Sequence, residues 1–206
     1  MKDSLRIYMY GAWNSLQRHA FALLLCAAYL IWLLQSARTL GFGRDESFYF
    51  DAASQYARWL EAFWKKPSFA MQTSVVDGNF GYNHEHPSLM KLLFGLSELL
   101  LIEKWHLTID KTTAFRLPGM LMGTLGVWIT YRMGRDHFGA RAGLYAAAAL
   151  AFMPRVFFHA HLACFDVPVM TMWLVSIYAY DTLLRRGGLW RAIWLGIAFG
   201  LTLETK

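Results

Sequence analysis

Carboxylates that could take part in acid–base chemistry lie in three short segments of the sequence. Asp45 and Glu46 are adjacent, Glu85 stands between two histidines, and Asp166 stands two residues before a proline. A positioned carboxylate can act as a general base on an acceptor hydroxyl. Acids at the start of a helix also cap free backbone N–H groups and complement the helix dipole. Spacing alone favours capping for Asp45 and Glu46, and the two roles are compatible.

The other candidate residues also have structural alternatives. Asp166, with a proline shortly after it, has the pattern of a helix N-cap. His84, Glu85 and His86 offer metal-ligating atoms, but adjacent residues rarely converge on one ion, and a solvated polar loop is the alternative. Arg116 suits a phosphate group, whereas an arginine beside an apolar segment can also extend to the membrane interface.

The composition is that of a membrane protein. Hydrophobic residues make up 56% of the 206 residues and charged residues 17%, against about 25% charged residues in soluble proteins. A core of this size cannot bury so much apolar surface, so lipid must cover part of it. The net charge is +6, but the basic residues stand beside apolar segments, which argues against nucleic-acid binding. Cys26 and Cys164 are too few and too distant to indicate a disulfide framework.

The apolar segments predict an all-α, polytopic transmembrane protein. After a cytoplasmic stretch, 1–19, the predicted membrane spans are 20–36, 117–133, 142–160, 167–184 and a last, incomplete one at 191–206. A signal peptide cleaved near Ala37 is the alternative for the first of them. Residues 37–116 form a long outer loop between the first two spans.

Basic residues in the short connections predict which side each segment faces. Three arginines surround each of two connections: Arg132, Arg135 and Arg141, then Arg185, Arg186 and Arg191. Short loops rich in Lys and Arg stay in the cytoplasm. We therefore expect the N-terminus and both connections inside, and 37–116 and 159–166 outside, with Asp45, Glu85 and Asp166 on one side. A span over 87–102 would reverse the later loops and place both arginine-rich connections outside.

Helical periodicity recurs within the outer loop. In 47–64, aromatic and aliphatic side chains form one face and polar side chains the other, which predicts an amphipathic helix at the membrane surface. In 87–102, Lys91 and Glu98 stand seven residues apart and so share a face. This segment is short for a span, and we predict a second interfacial helix. Near the inner end of 167–184, Asp181 and Arg185 have the spacing of an i,i+4 ion pair.

Five motifs in order resemble a known family. They are 43–53 (GRDESFYFDAA), 85–89 (EHPSL), 116–119 (RLPG), 134–143 (GRDHFGARAG) and Asp166 before a span. Together they resemble the GT-C superfamily, in particular bacterial glycosyltransferases of the protein O-mannosyltransferase and aminoarabinose-transferase type. Members of that family have more spans than the number predicted here, so we expect this chain to be an N-terminal portion.

The resemblance implies a role for each matching residue. It implies that Asp45 is the catalytic aspartate, that Glu46 supports it, and that Asp166 is the acid of the second outer loop. Arg116 would bind the donor phosphate. Glu85 matches a metal-binding glutamate, which implies a divalent metal ion as a cofactor.

Two further positions complete the expected substrate site. Arg44 and His86 stand beside the acids and are predicted to contact substrate. Ser88 replaces the second proline of the motif in the aminoarabinose-type members, and His86 replaces their lysine. The donor contact expected of that lysine therefore does not carry over directly to His86.

The predicted function is transfer of a sugar from a polyprenyl-phosphate donor to a lipid, glycan or protein acceptor. The reaction would take place on the periplasmic side of a bacterial inner membrane, and no nucleic-acid partner is expected. The alternative is a non-enzymatic multi-pass protein, such as a transporter segment or an assembly subunit. A transporter would carry ionisable residues within its spans and helices broken near the membrane midplane, for which Pro154 is the candidate position.

Overall fold

A computed structural model describes residues 2–43, 45–107 and 109–206, with the backbone alone for 2–18. The described ranges are helical and contain no β-strand, which confirms the all-α prediction. The helices are α1 (Lys2–Ala37), α2 (Glu46–Lys65), α3 (Pro67–Ala70), α4 (Thr73–Phe80), α5 (Leu89–Glu98), α6 (Lys111–Phe138), α7 (Ala140–Ala151), α8 (Pro154–Ala160), α9 (Asp166–Arg186) and α10 (Leu189–Leu203). A π-helical turn, Leu99–Lys104, extends α5.

Among the residues that the structure describes, two helical segments are long and apolar enough to cross a membrane, His19–Ala37 of α1 and Asp166–Arg186 of α9. They correspond to the predicted spans 20–36 and 167–184. The predicted span 117–133 lies within α6, which packs against α1, α7 and α9 at the centre of the bundle. A central helix is shielded from lipid by its neighbours, so its sequence can carry polar residues that a lipid-facing helix could not.

The third apolar segment is broken. The structure has α7 and α8 at 67° to each other in place of one helix over 142–160, and the pair counts as one span only if the bend is allowed. Met153 is extended and Pro154 begins α8. Proline lacks the N–H that would continue the helical ladder, and it disfavours the helical conformation of the residue before it. Pro154 was the candidate position for such a break, and the assignment of 142–160 as one membrane span stays a prediction.

Glycines bring α6 and α7 into close contact. A Cβ atom placed on Gly134 would lie 2.7 Å from the Cα of Gly143, and one on Gly143 would lie 2.5 Å from the carbonyl oxygen of Tyr131. Both distances are too short for any larger side chain. The spacing of glycines in the motif 134–143 is thus explained by the packing of two helices.

The segment 37–116 is more helical than the sequence indicated. The helix expected at 47–64 is present as α2, whereas α3 and α4 were not predicted. The second expected helix, 87–102, is present as α5 and its π-helical turn, but its two charged residues point inward. Lys91 is fully buried, and Glu98 is 4% exposed and pairs with Lys111 at 3.2 Å. Helix α5 packs against both α2 and α6.

A polar network joins α6 to α9 at the end of the bundle that carries the arginines. Asp181 and Arg185 form the predicted i,i+4 ion pair, which is confirmed. Arg185 also lies 3.5 Å from Asp136, and His137 lies 3.2 Å from Asp181. These contacts fix the C-terminal ends of α6 and α9 relative to each other. The N-terminal end of α9, with Asp166, is therefore directed to the opposite end of the bundle.

An acidic pocket beside a buried ion pair

A pocket of about 240 Å³ lies where α2 and α9 begin and α8 ends. Its lining brings together the two acids that the sequence placed far apart. The residues that line it are Gly43, Asp45, Glu46, Tyr49, His159, Leu162, Cys164, Phe165, Asp166 and Lys206. Asp45 and Asp166 therefore belong to one site, as expected from the predicted topology.

Glu46 is the buried carboxylate among the pocket residues named above. Its Oε1 atom accepts from Arg116 Nε at 2.9 Å and from the backbone N–H of Ala163 at 2.9 Å. Its Oε2 atom accepts from Arg116 Nη2 and the backbone N–H of Gly43, both at 2.7 Å. Four donors thus satisfy a carboxylate that is 2% exposed, as a buried charge requires. Glu46 positions the pocket wall, and its oxygens are not available to a substrate.

Arg116 is saturated as well. It is fully buried, and besides Glu46 it donates to the carbonyl oxygens of Leu40 at 3.1 Å, Gly41 at 2.8 Å and Ala37 at 3.4 Å. No face of the guanidinium remains for a phosphate in this structure. The expected role of Arg116 in donor binding therefore does not agree with its geometry; Arg116 instead ties the end of α1 and the start of α2 to α6.

The RLPG motif has a second structural role through its glycine. A Cβ atom on Gly119 would lie 2.9 Å from the carbonyl oxygen of Leu162, which is too close for an alanine. The absence of a side chain lets the loop after α8 lie against α6. That approach is what presents the N–H of Ala163 to Glu46.

Asp45 differs from Glu46 in being free. It occupies the N-cap position of α2, but its side chain makes no capping hydrogen bond. It is exposed to the pocket, and among the described residues its carboxylate has no hydrogen-bond or ion-pair partner. Asp45 thus stands at the capping position, but its side chain does not cap the helix. The carboxylate is left available to accept a proton.

Asp166 also has no capping function. The N-cap of α9 is Phe165, and Asp166 is the first helical residue. Its carboxylate is 53% exposed, with Oδ1 at 3.3 Å from Lys206 Nζ and Oδ2 at 3.3 Å from His159 Nδ1. Asp166 therefore stands between two groups that can carry positive charge.

Tyr49 shows the electrostatic character of the pocket. Burial raises the pKa of its hydroxyl, and the carboxylates of Asp45 and Asp166 raise it further. Burial likewise raises the pKa of the Cys164 thiol to about 11. Tyr49 stays protonated and can donate a hydrogen bond to a substrate. Neither residue was proposed as a site residue from the sequence, although Tyr49 lies within the motif 43–53.

The EHPSL segment lies beside this pocket. His86 makes ring contacts with Tyr49 and Phe165, with centroids 5.9 Å and 5.2 Å apart. Lys91, which belongs to α5, holds the segment by donating to the carbonyl oxygens of Asn83 and, at 2.8 Å, His86. Burial lowers the pKa of Lys91. This buried lysine fixes the position of the loop next to the acids.

Glu85 is exposed, and its carboxylate accepts from Asn83 at 3.0 Å. Within the described ranges, the one group of three His, Cys, Asp or Glu side chains close enough to share an ion is His159, Cys164 and Asp166. Glu85 is not part of it, and its role as a metal ligand stays a prediction. Arg44, the other expected substrate contact, lies outside the described residues.

Comparison with known proteins identifies one family. Residues 101–206 match the sequence model of the family described as dolichyl-phosphate-mannose-protein mannosyltransferase. The matched part contains Arg116 and Asp166, while Asp45 and Glu46 precede it. No curated protein and no solved structure matches the chain significantly.

Proposed function

This chain belongs to the dolichyl-phosphate-mannose-protein mannosyltransferase family of membrane glycosyltransferases, and from that premise we propose a specific donor, site and side of the membrane. The donor is a sugar on a polyprenyl phosphate, and the acceptor is a hydroxyl group of a lipid, glycan or protein. Transfer takes place in the acidic pocket, on the periplasmic face of a bacterial inner membrane that the chain crosses several times.

The observation that carries the proposal is the free carboxylate of Asp45. It lies in a pocket with Asp166, at the start of a helix whose first residue is fixed by the buried Glu46–Arg116 pair. A general base must be positioned and must not be occupied by structural contacts. Among the pocket acids, Asp45 meets both conditions.

The reaction assigns a role to each group in the pocket. The acceptor oxygen forms a bond to the anomeric carbon of the sugar while the bond from that carbon to the phosphate oxygen breaks. The hydroxyl proton goes to Asp45, and the electron pair of the broken bond stays on the polyprenyl phosphate. Lys206, which lines the pocket and lies 3.3 Å from Asp166, is the lysine proposed to contact the departing phosphate. His86 and Arg44 are retained as proposed substrate contacts.

The orientation follows from charge. The arginine-rich connections at 132–141 and 185–191 lie at the end of the bundle away from the pocket, and such connections stay in the cytoplasm. Labelling of single cysteines placed beside Asp45, Asp166 and Arg135, in a chain lacking Cys26 and Cys164, tests this. The first two sites should react with an impermeant reagent from outside and the third should not; opposite labelling of the first two would exclude a shared periplasmic pocket.

One feature favours the alternative of a transporter. The break between α7 and α8 resembles the discontinuous helices from which transporters build central sites. However, the residues at the break are Phe152 and Met153, which are exposed and apolar. An ion or substrate site would need polar groups there. The break serves instead to direct α8, with His159, to the acidic pocket.

The deciding experiment compares Asp45→Asn with Asp51→Asn, which removes an equally negative side chain that belongs to α2 but does not line the pocket. Membranes containing each variant receive polyprenyl-phosphate mannose with a radiolabelled sugar, and label appearing outside the lipid donor is measured. Loss of a general base lowers rates by about 100-fold to 10,000-fold. We expect that loss for Asp45→Asn and wild-type transfer for Asp51→Asn. Near-normal transfer by Asp45→Asn would refute the assignment.

A further inference from the structure

Three side chains of different chemistry meet on one wall of the acidic pocket. His159 lies in the last turn of α8, Cys164 lies in the loop that follows, and Asp166 begins α9. Their ligand atoms, one each of nitrogen, sulfur and oxygen, all lie within 4.8 Å of one another. A tetrahedral ion with bonds of about 2.0–2.3 Å places its ligand atoms within such a distance.

These atoms are largely free of other commitments. His159 Nδ1 is buried and has no hydrogen-bond partner; its one polar neighbour given by the structure is the carboxylate of Asp166, at an ion-pair distance of 3.3 Å. The Cys164 thiol makes a long contact, 3.6 Å to the carbonyl oxygen of His159, and its sulfur also faces the backbone N–H of Asp166. A buried ring nitrogen without a partner is costly, so its retention beside a thiol and a carboxylate needs an explanation.

We propose that His159, Cys164 and Asp166 form a zinc-binding site. Nitrogen and sulfur ligands select zinc over magnesium and calcium, which prefer oxygen ligands throughout. Three protein ligands leave the fourth tetrahedral position open. That position adjoins the pocket that contains Asp45, where water or a phosphate oxygen can complete the coordination. Only this last link to phosphate depends on the proposed function; binding of the metal does not.

Lys206 is the competitor of the metal. Its ammonium group lies 3.3 Å from Asp166 Oδ1, so it neutralises the same carboxylate that would ligate zinc. Both side chains are about half exposed, and Lys206 can move away when the metal binds. Removing the lysine charge should therefore strengthen metal binding, an effect that an ion bound elsewhere on the protein would not show.

Cobalt(II) provides a direct probe, because a thiolate ligand gives it a near-ultraviolet charge-transfer absorption. The purified chain in detergent is titrated with Co²⁺, and zinc is then added to displace it. We expect one equivalent of Co²⁺ to produce the band, Cys164→Ser to abolish it, and Cys26→Ser to retain it. Cys26 is the matched control, since it is buried in α1 and belongs to no such group. Absence of the band in the wild type, or its persistence in Cys164→Ser, would overturn the proposal.

Further variants guard against misfolding and separate this proposal from the enzymatic one. His159→Gln should weaken Zn²⁺ binding by about tenfold or more, and Lys206→Gln should tighten it by about fivefold. Unchanged affinity in both would contradict the site. Asp45→Asn should bind Zn²⁺ at least as tightly as the wild type while losing transfer. The site can thus be sustained even if the glycosyltransferase mechanism fails, and the reverse also holds.

Discussion

Arg116→Met removes the cation that neutralises Glu46 while keeping a long apolar side chain in its place. In the wild type, the guanidinium donates to both carboxylate oxygens of Glu46, at 2.9 Å and 2.7 Å. After the change, Glu46 would keep only the backbone N–H groups of Gly43 and Ala163. The negative charge would remain in a place from which water is excluded.

The expected loss can be estimated from the burial of the pair. Removing one partner of a buried ion pair costs about 3–5 kcal/mol, because the other charge is left uncompensated. The carbonyl oxygens of Ala37, Leu40 and Gly41 also lose their donor, so we expect the upper part of that range. For a chain of this size the change corresponds to an apparent Tm lower by about 6–20 °C.

Thermal unfolding of the purified chain in detergent measures this loss. Arg185→Met is the matched control, since Arg185 pairs with Asp181 and Asp136 at the surface, where salt bridges contribute little. The double variant Glu46→Gln, Arg116→Met removes both charges and should be more stable than Arg116→Met alone. If Arg116→Met unfolded at the same temperature as Arg185→Met, the buried Glu46–Arg116 pair would not be what stabilises this part of the fold.

Two other changes test how the pocket is supported. Gly119→Ala should lower stability by about 1–3 kcal/mol, because its Cβ atom would lie 2.9 Å from the Leu162 carbonyl oxygen. Gly196→Ala is the control and should not lower stability, since nothing lies within 4 Å of its Cβ atom. Equal melting temperatures of the two variants would contradict the close approach of Gly119 to Leu162. Lys91→Met leaves the carbonyl oxygens of Asn83 and His86 without their donor, so it should lower stability by about 1–3 kcal/mol and speed proteolysis of 81–88. The control is Lys66→Met, which changes an exposed lysine. Equal cleavage of the two variants would show that Lys91 does not hold that loop.

The parts of the fold that periodicity determines were predictable. Helix α2 begins and ends within one residue of the expected segment, because its apolar and polar faces repeat at helical spacing. The Asp181–Arg185 pair was predictable for the same reason. Helices α3 and α4 were missed since they are short and carry little periodicity, and their contacts with α2 come from tertiary packing.

The positions of the charged side chains were harder to predict. Composition and spacing gave Lys91 and Glu98 a common face but could not indicate that this face packs inward. Arg116 has the residue type that binds phosphate, yet its partner Glu46 lies 70 positions away in the sequence. Only the tertiary structure shows that the two neutralise each other. His159 was not recognised because its nearness to Asp166 depends on the path of the loop after α8. Cys164 stands two residues before Asp166, but from the sequence it was considered only as a disulfide partner.

The contacts of Glu46 join residues that are far apart in the sequence, and this separation sets the order in which they can form during synthesis. When α1 and α2 leave the ribosome, Glu46 has no cation, because Arg116 follows 70 residues later and the N–H of Ala163 follows 117 residues later. Residues 37–115 therefore cannot bury Glu46 as an ion pair until α6 has been synthesised. The pocket wall closes only after α8 has turned back toward it. A truncation before α8 would consequently leave Glu46 without one of its donors.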